Sequence, residues 1–160
     1  MEKSLAHTKI EERFPQAVLD SHAQHGDETL VLRKEAILDV ARLLKEDPEL
    51  QFNLLTDITA VDYLGRHPRF EIVYHFLSLK FNRRLRIKLP SDEPYPVVKS
   101  LTPLWKTANW LERECFDMYG IRFEGHPNLA RILLYEPFEG HPLRKDYPKT
   151  KRQPLIGPQN

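Results

Sequence analysis

The chain has 160 residues, enough for one hydrophobic core, and its 24 Lys and Arg against 23 Asp and Glu leave a formal charge of +1, so one domain is expected and no overall field draws it to nucleic acid or anionic lipid. Its single cysteine, Cys115, excludes an internal disulfide and a cysteine-rich zinc or iron–sulfur site built by this chain alone, which suits a reducing compartment. No apolar run reaches the roughly 20 residues that span a bilayer, and none of the six glycines belongs to a G-x-G-x-x-G or G-x-x-x-x-G-K phosphate cradle.

The opening residues, MEKSLAHTKIEERFP, mix charged and apolar side chains without an apolar run of signal-peptide length, and a cytoplasmic location is expected. Residues 16–33 hold two apolar runs around the polar, turn-prone AQHGD and predict a strand hairpin. In KEAILDVARLLKEDP (34–48), Ala36, Val40 and Leu44 share one helical stripe with Ile37 and Ala41 beside it, and Pro48 stops the helix. Runs rich in β-branched and aromatic residues at 51–63, 70–80 and 83–90 predict a three-stranded meander. In the last run Leu85, Ile87 and Leu89 alternate with Arg84, Arg86 and Lys88, so one face is buried and the other carries a basic row. That row is either a solvated sheet face or a docking patch for an acidic partner.

VVKSL (97–101) is expected as a short helix, and Thr102-Pro103 to open a longer one over 104–119 that Gly120 closes. The order of elements gives an α+β class: a mostly antiparallel sheet covered by helices on one face, with an extended C-terminal tail. Residues 120–160 hold four of the six glycines and six of the thirteen prolines, and only ARILLY (130–135) resembles a strand. Such a segment must lie along another surface for its backbone groups to find partners, so it either wraps the domain or clamps a partner. The chain is thus divided into an α+β domain, 1–120, and an extended partner-binding tail, 121–160.

The helix over 104–119 has a core stripe at Leu104, Ala108, Leu111, Cys115 and Met118. At about 100° per residue, Glu112 and Glu114 flank that stripe, and Arg113 and Asp117 lie on the far side at a spacing that allows them to pair. Trp105 and Phe116 fall on one flank and Trp110 on the other. Three large rings outside the stripe are either covered by the tail or are aromatic anchors of a protein interface.

Catalysis is weakly signalled. A cysteine centred in a buried stripe lacks the exposure and positive surroundings of a nucleophile, and neither G-x-S-x-G nor H-E-x-x-H occurs. The tetrapeptide EGHP occurs twice, at 124–127 and 139–142. Glu124, His126, Glu139 and His141 could converge on a metal, but histidine before proline in a loop is commonly a turn element, and the close His-x-His spacing of a metal site is missing.

The run Glu112-Arg113-Glu114-Cys115-Phe116-Asp117-Met118-Tyr119-Gly120, then His126-Pro127 and Arg131-Ile132-Leu133, and finally Pro142-Leu143-Arg144-Lys145-Asp146-Tyr147, closely resembles the signature of the C-type, 30-kDa subunit family of respiratory complex I, NADH:quinone oxidoreductase. Residues 104–148 carry this likeness, and TDITAVDY with the strands after it resembles the family's amino-terminal domain. One departure is Ala130, where the family usually has Lys, Arg or Pro, which puts one polar contact in doubt. Plastid and cyanobacterial ferredoxin-dependent complexes, energy-converting membrane-bound hydrogenases and deazaflavin-dependent dehydrogenases contain the same type of subunit.

The resemblance implies a non-catalytic accessory and assembly subunit in the hydrophilic arm of a proton-translocating enzyme of the respiratory chain, peripheral on the cytoplasmic side of the inner (plasma) membrane. It implies no active site and no cofactor on this chain; FMN, iron–sulfur clusters, NADH and quinone belong to the whole complex. Its implied partners are the hydrogenase-like, D-type large subunit and the iron–sulfur subunits, with contacts expected at Trp105, Trp110, Glu112, Arg113, Glu114, Phe116, Asp117, His126, Arg131, His141, Arg144, Lys145, Asp146 and Tyr147. The tail is expected to order on binding. The alternatives are the same type of subunit in a membrane-bound hydrogenase or ferredoxin-dependent complex, a free-standing metal-dependent enzyme using His126 and His141, and a scaffold that binds through Arg84, Arg86 and Lys88.

Overall fold

The computed structural model describes residues 3–92 and 94–157. Leu5–Arg13 (α1) starts at Ser4, whose hydroxyl accepts the His7 amide, the usual way a serine caps a helix. Its charge-rich sequence gives only a weak apolar period, which is why sequence reasoning did not identify it. Val18–His22 (β1) and Thr29–Leu32 (β2) form the expected hairpin. Ile37–Glu46 (α2) buries Ile37, Val40, Ala41, Leu43 and Leu44, as its period requires. Leu54–Asp62 (β3), Phe70–Ser78 (β4) and Arg83–Ser91 (β5) are the antiparallel meander.

These strands make one five-stranded sheet in the order β1-β2-β5-β4-β3, antiparallel throughout except where β2 runs parallel to β5. One face, with Leu30, Ile58, Tyr74, Phe76 and Ile87, packs with Ile10 of α1 and Leu44 of α2 into a single core. The α+β architecture is therefore as expected.

Three local expectations are corrected. Val97–Lys99 (β6) is a strand, not a helix, because it pairs in parallel with Arg122–Glu124 (β7); its adjacent valines suit a pleat, Val98 facing the core and Val97 facing out. The long helix (α3) spans Ala108–Tyr119 rather than 104–119. Residues before it form turns in which the Leu104 and Trp105 amides both donate to the Leu101 carbonyl. Trp105 thereby drops into the core at 5% exposure, its ring centroid 5.3 Å from that of Phe76 and its Nε1 donating to the Asn53 carbonyl at 3.1 Å. A helical wheel carried one turn too far places it on an outer flank. Finally, residues 130–135 bend and form no strand, because their amides turn toward a carboxylate on α3.

Candidate functional site

The last turn of a helix leaves carbonyls without partners inside the helix. In α3 the sequence of that turn, FDMY, supplies no basic side chain of its own, and the C-terminal segment supplies the missing donors. Gly120 takes the left-handed conformation (φ 76°) and returns its amide to the Phe116 carbonyl at 2.8 Å. The Asp117 carbonyl accepts from His141 Nδ1 at 2.9 Å, the Met118 carbonyl from the Leu143 amide at 3.2 Å, and the Tyr119 carbonyl from Arg144 Nε at 2.6 Å. A Cβ on Gly120 would lie 2.7 Å from His141 Nε2, so this approach needs glycine both for its backbone angle and for space.

The Asp117 side chain is fully buried and organises the segment 131–147, a strap laid over the end of α3. Its Oδ2 accepts the three successive amides of Ile132, Leu133 and Leu134 at 3.0, 2.9 and 2.9 Å, and its Oδ1 accepts Arg131 Nη1 at 2.6 Å. Burial disfavours the charge, but these donors outweigh it and hold the carboxyl below the usual carboxylate range. Arg113 does not pair with Asp117 as the helical spacing suggested. It donates instead to the carbonyls of Ala130 and Arg131 at 3.0 and 2.9 Å, so the departure at position 130 leaves this backbone contact intact.

The end of the strap is tied to the sheet by two residues that sequence reasoning did not single out, Asp62 and Arg69. Asp62, with its carboxylate fully buried at the end of β3, is gripped by Arg69 through both oxygens at 2.9 and 2.8 Å and accepts the Lys145 amide at 2.8 Å. The Arg69 guanidinium holds the Asp62 carboxyl below its ordinary range and also meets Asp146 at 2.9 Å. Arg144 lies over the rings of Phe70 and Tyr95, at 5.2 and 4.8 Å, and donates to the Pro94 carbonyl at 2.7 Å. Tyr147 stacks on Phe138 with ring centroids 6.1 Å apart. An aspartate closing an otherwise apolar strand, TAVDY, was the available sequence signal for Asp62.

The two EGHP copies are turns that fasten the two ends of one helix. Gly125 and Gly140 both have positive φ, 85° and 98°. His126 Nε2 meets the Asn109 carbonyl at 3.0 Å near the start of α3 while its Nδ1 accepts the Asn128 amide; His141 holds the other end. Each imidazole is thus committed to backbone, and among the described residues no group of three or more His, Cys, Asp and Glu is arranged to hold a metal ion.

Glu112 is also buried. It accepts the Leu101 amide at 2.6 Å and the Ser100 hydroxyl at 2.7 Å, and burial, against these bonds, pushes its carboxyl up to about 7. Phe116 is half-buried, edge-on to His141. Glu114 and the Lys145 side chain are exposed, and Trp110 is 71% exposed. On the opposite sheet face the basic row is largely neutralised: Lys88 pairs with Glu71 at 3.0 Å and Arg86 reaches Asp27 at 3.7 Å. That mixture of signs makes a poor patch for a purely acidic partner.

Arg113, Asp117, Arg131, His141 and Arg144 of the signature thus meet between α3 and the strap, and comparison with known proteins decides what they belong to. Residues 30–153 match the family described as respiratory-chain NADH dehydrogenase, 30 Kd subunit. The chain belongs to this family. The C-type subunit of NADH-quinone oxidoreductase from Citrifermentans bemidjiense is 49% identical over 98% of this chain and 97% of its own length, and that of Roseiflexus sp. is 53% identical over 88% and 80%. Among solved structures, the trypsin-resistant fragment (1–134) of Nqo5 superposes with a TM-score of 0.66 at 31% identity, covering 78% of this chain and all of the fragment. A chain of the membrane-bound sulfane sulfur reductase, an archaeal respiratory membrane complex, has the same fold, with a TM-score of 0.74 at 24% identity over 89% of this chain and 84% of its own. As a 30-kDa subunit of the complex I type, the protein is part of a multisubunit oxidoreductase, and none of its described helices is long and apolar enough to cross a membrane.

Proposed function

We propose that the chain is a non-catalytic accessory and assembly subunit in the hydrophilic arm of a proton-translocating NADH:quinone oxidoreductase. In this reading it binds no flavin, cluster or quinone. It holds the hydrogenase-like large subunit against the cluster-bearing subunits, peripheral to the membrane on its cytoplasmic side. Residues 1–120 act as the body, and 121–160 act as a segment that, together with the outer side of α3, meets partners.

The supporting observation is how the signature residues divide. Arg113, Asp117, His126, Arg131, His141, Arg144 and Asp146 are engaged within the chain, while Trp110 on α3 and Leu133 and Leu143 on the strap are left exposed. Such residues suit a protein contact with an aromatic anchor. The partner surface is accordingly the outer side of α3 and of the strap, with Trp110, Glu114 and Lys145 as direct contacts and the buried residues positioning them.

Affinity purification of the tagged chain from membranes in mild detergent tests this. The full-length chain should bring down a hydrogenase-like large subunit with flavin and iron–sulfur subunits. Trp110→Ala should reduce that recovery by roughly tenfold while changing the isolated chain's stability by no more than about 0.5 kcal/mol, as expected for a surface position. Purification of the full-length chain alone, or complete recovery with the variant, would defeat the proposal.

A further inference from the structure

Trp110, Arg113 and Asp117 lie along one side of α3, because helix residues three, four and seven apart share a face. The strap crosses that face: Arg113 donates to the carbonyls of Ala130 and Arg131, and Asp117 accepts the amides of Ile132, Leu133 and Leu134. Trp110 is the next position along it, one turn before Arg113, and is exposed. Leu133 and Leu143 are exposed as well, yet their amides are fastened inward, to the Asp117 carboxylate and the Met118 carbonyl. The exposed apolar side chains on this side of the molecule are therefore divided between a helix and a segment bonded onto it.

That segment can leave the body without opening the core. Among the described residues none beyond Phe123 is buried, and the core is made by residues 6–123. Within the strap, Phe138 packs edge-on against Tyr135 and stacks on Tyr147, so it moves as one piece. A piece held by polar bonds, with little apolar surface buried beneath it, opens at a lower cost than the core unfolds. Two of its fastenings are hidden and remote from Trp110. Asp62, fully buried, accepts the Lys145 amide, and its partner Arg69 reaches Asp146. Gly120, also buried, lies about 15 Å farther along α3 than Trp110, and a Cβ there would meet strap atoms, His141 Nε2 at 2.7 Å and Arg144 Nη2 at 3.0 Å.

We infer that partner capture is conditional on the seated strap, and that Asp62 and Gly120 are positioning residues for a partner that neither of them touches. This rests on the reading that Trp110 and the strap together meet a partner protein. A partner that grips Trp110 on α3 and Leu133 and Leu143 on the strap binds only the seated form, because unseating carries both leucines away from the helix. Its apparent affinity is then the intrinsic affinity multiplied by the seated fraction. The strap is the two-state element: Asp62 and Gly120 bias it from inside the chain and the partner biases it from outside, so the two effects are reciprocal.

The full chain carrying both Asp62→Ala, which removes the acceptor of the Lys145 amide, and Gly120→Ala, which wedges the seat, tests this beside Trp110→Ala. Amide hydrogen exchange should show Ile132, Leu133 and Leu143 unprotected in the double variant while the centres of β4 and β5 keep their protection. Recovery of the hydrogenase-like large subunit by the tagged chain, at sub-saturating amounts, should then fall by roughly tenfold although Trp110 is intact. Full recovery with an unprotected strap would mean that the partner reads α3 alone and would overturn the inference, leaving the proposed function standing; a strap that stays protected would overturn it too. The proposed function fails separately, if Trp110→Ala leaves recovery complete. Should the double variant lose protection in β4, the natural chain supplies the test: the Leu143 and Lys145 amides must exchange at least roughly tenfold more slowly in the assembled complex than in the isolated chain, and equal rates would overturn the inference.

Discussion

Replacing Asp117 with alanine should unseat the strap and lower stability by about 2–4 kcal/mol. The carboxylate is fully buried and serves four donors at once, Arg131 and the amides of Ile132, Leu133 and Leu134. Alanine leaves all four without their acceptor. Removing one partner of a buried ion pair costs roughly 3–5 kcal/mol when the other cannot reach water. Here Arg131 keeps 22% of its side-chain surface, and the strap can peel away so that water satisfies the amides. Peeling caps the loss at the free energy with which the strap docks. Thermal unfolding should therefore occur roughly 5–12 °C lower, with exchange protection lost at 132–134 and 143 and retained in β4. A melting temperature within about 2 °C of the natural chain, together with intact strap protection, would mean that Asp117 does not organise this segment.

The sheet and α2 were legible because their order is local. Leu85, Ile87 and Leu89 alternate with charged neighbours and point inward, and Val40 and Leu44 repeat at helical spacing and are buried. The site was only half legible, for a physical reason. Glu112 and Asp117 are acids within a helix, and periodicity assigns such residues to solvated flanks. Their partners, Ser100 and Leu101 on one side and residues 131–134 on the other, are 11 to 17 positions away in sequence, beyond the reach of any helical or strand repeat. The tail's composition did announce a segment in need of partners, and the turn character of both EGHP copies was readable. What no local rule could supply is that each copy brings a histidine to one end of the same helix. The likeness to a known signature found those residues without saying what they do. Their geometry shows that many of them face inward, fastening the chain to itself.

Glu112→Gln should make the protein more stable at pH 8 and nearly remove one component of its pH dependence. Glu112 is buried beside Cys115 and Tyr74, with two hydrogen-bond donors but, among the described residues, no cation to balance its charge. Its carboxyl is pushed up to about 7 from an ordinary value of 4.5, so between these two pH values the folded chain holds a proton that the unfolded chain has released. The stabilisation from keeping Glu112 neutral is complete below about pH 4.5 and lost as the pH rises through about 7. A displacement of that size corresponds to about 3 kcal/mol between the ends of the window. Glutamine has the shape of the protonated acid: its oxygen can keep the Leu101 amide, and its NH2 can donate to Ser100, whose hydroxyl can turn toward Thr102, 2.7 Å away. Asp62, Asp117 and His141 titrate in both proteins, so the informative quantity is the difference in urea-unfolding free energy between variant and natural chain at each pH. That difference should be smallest near pH 4.5, climb by about 3 kcal/mol toward pH 8 in favour of glutamine, and level off above it. A difference that stays constant across the window would mean that Glu112 is ionised throughout, its charge held by the Ser100 and Leu101 donors despite burial.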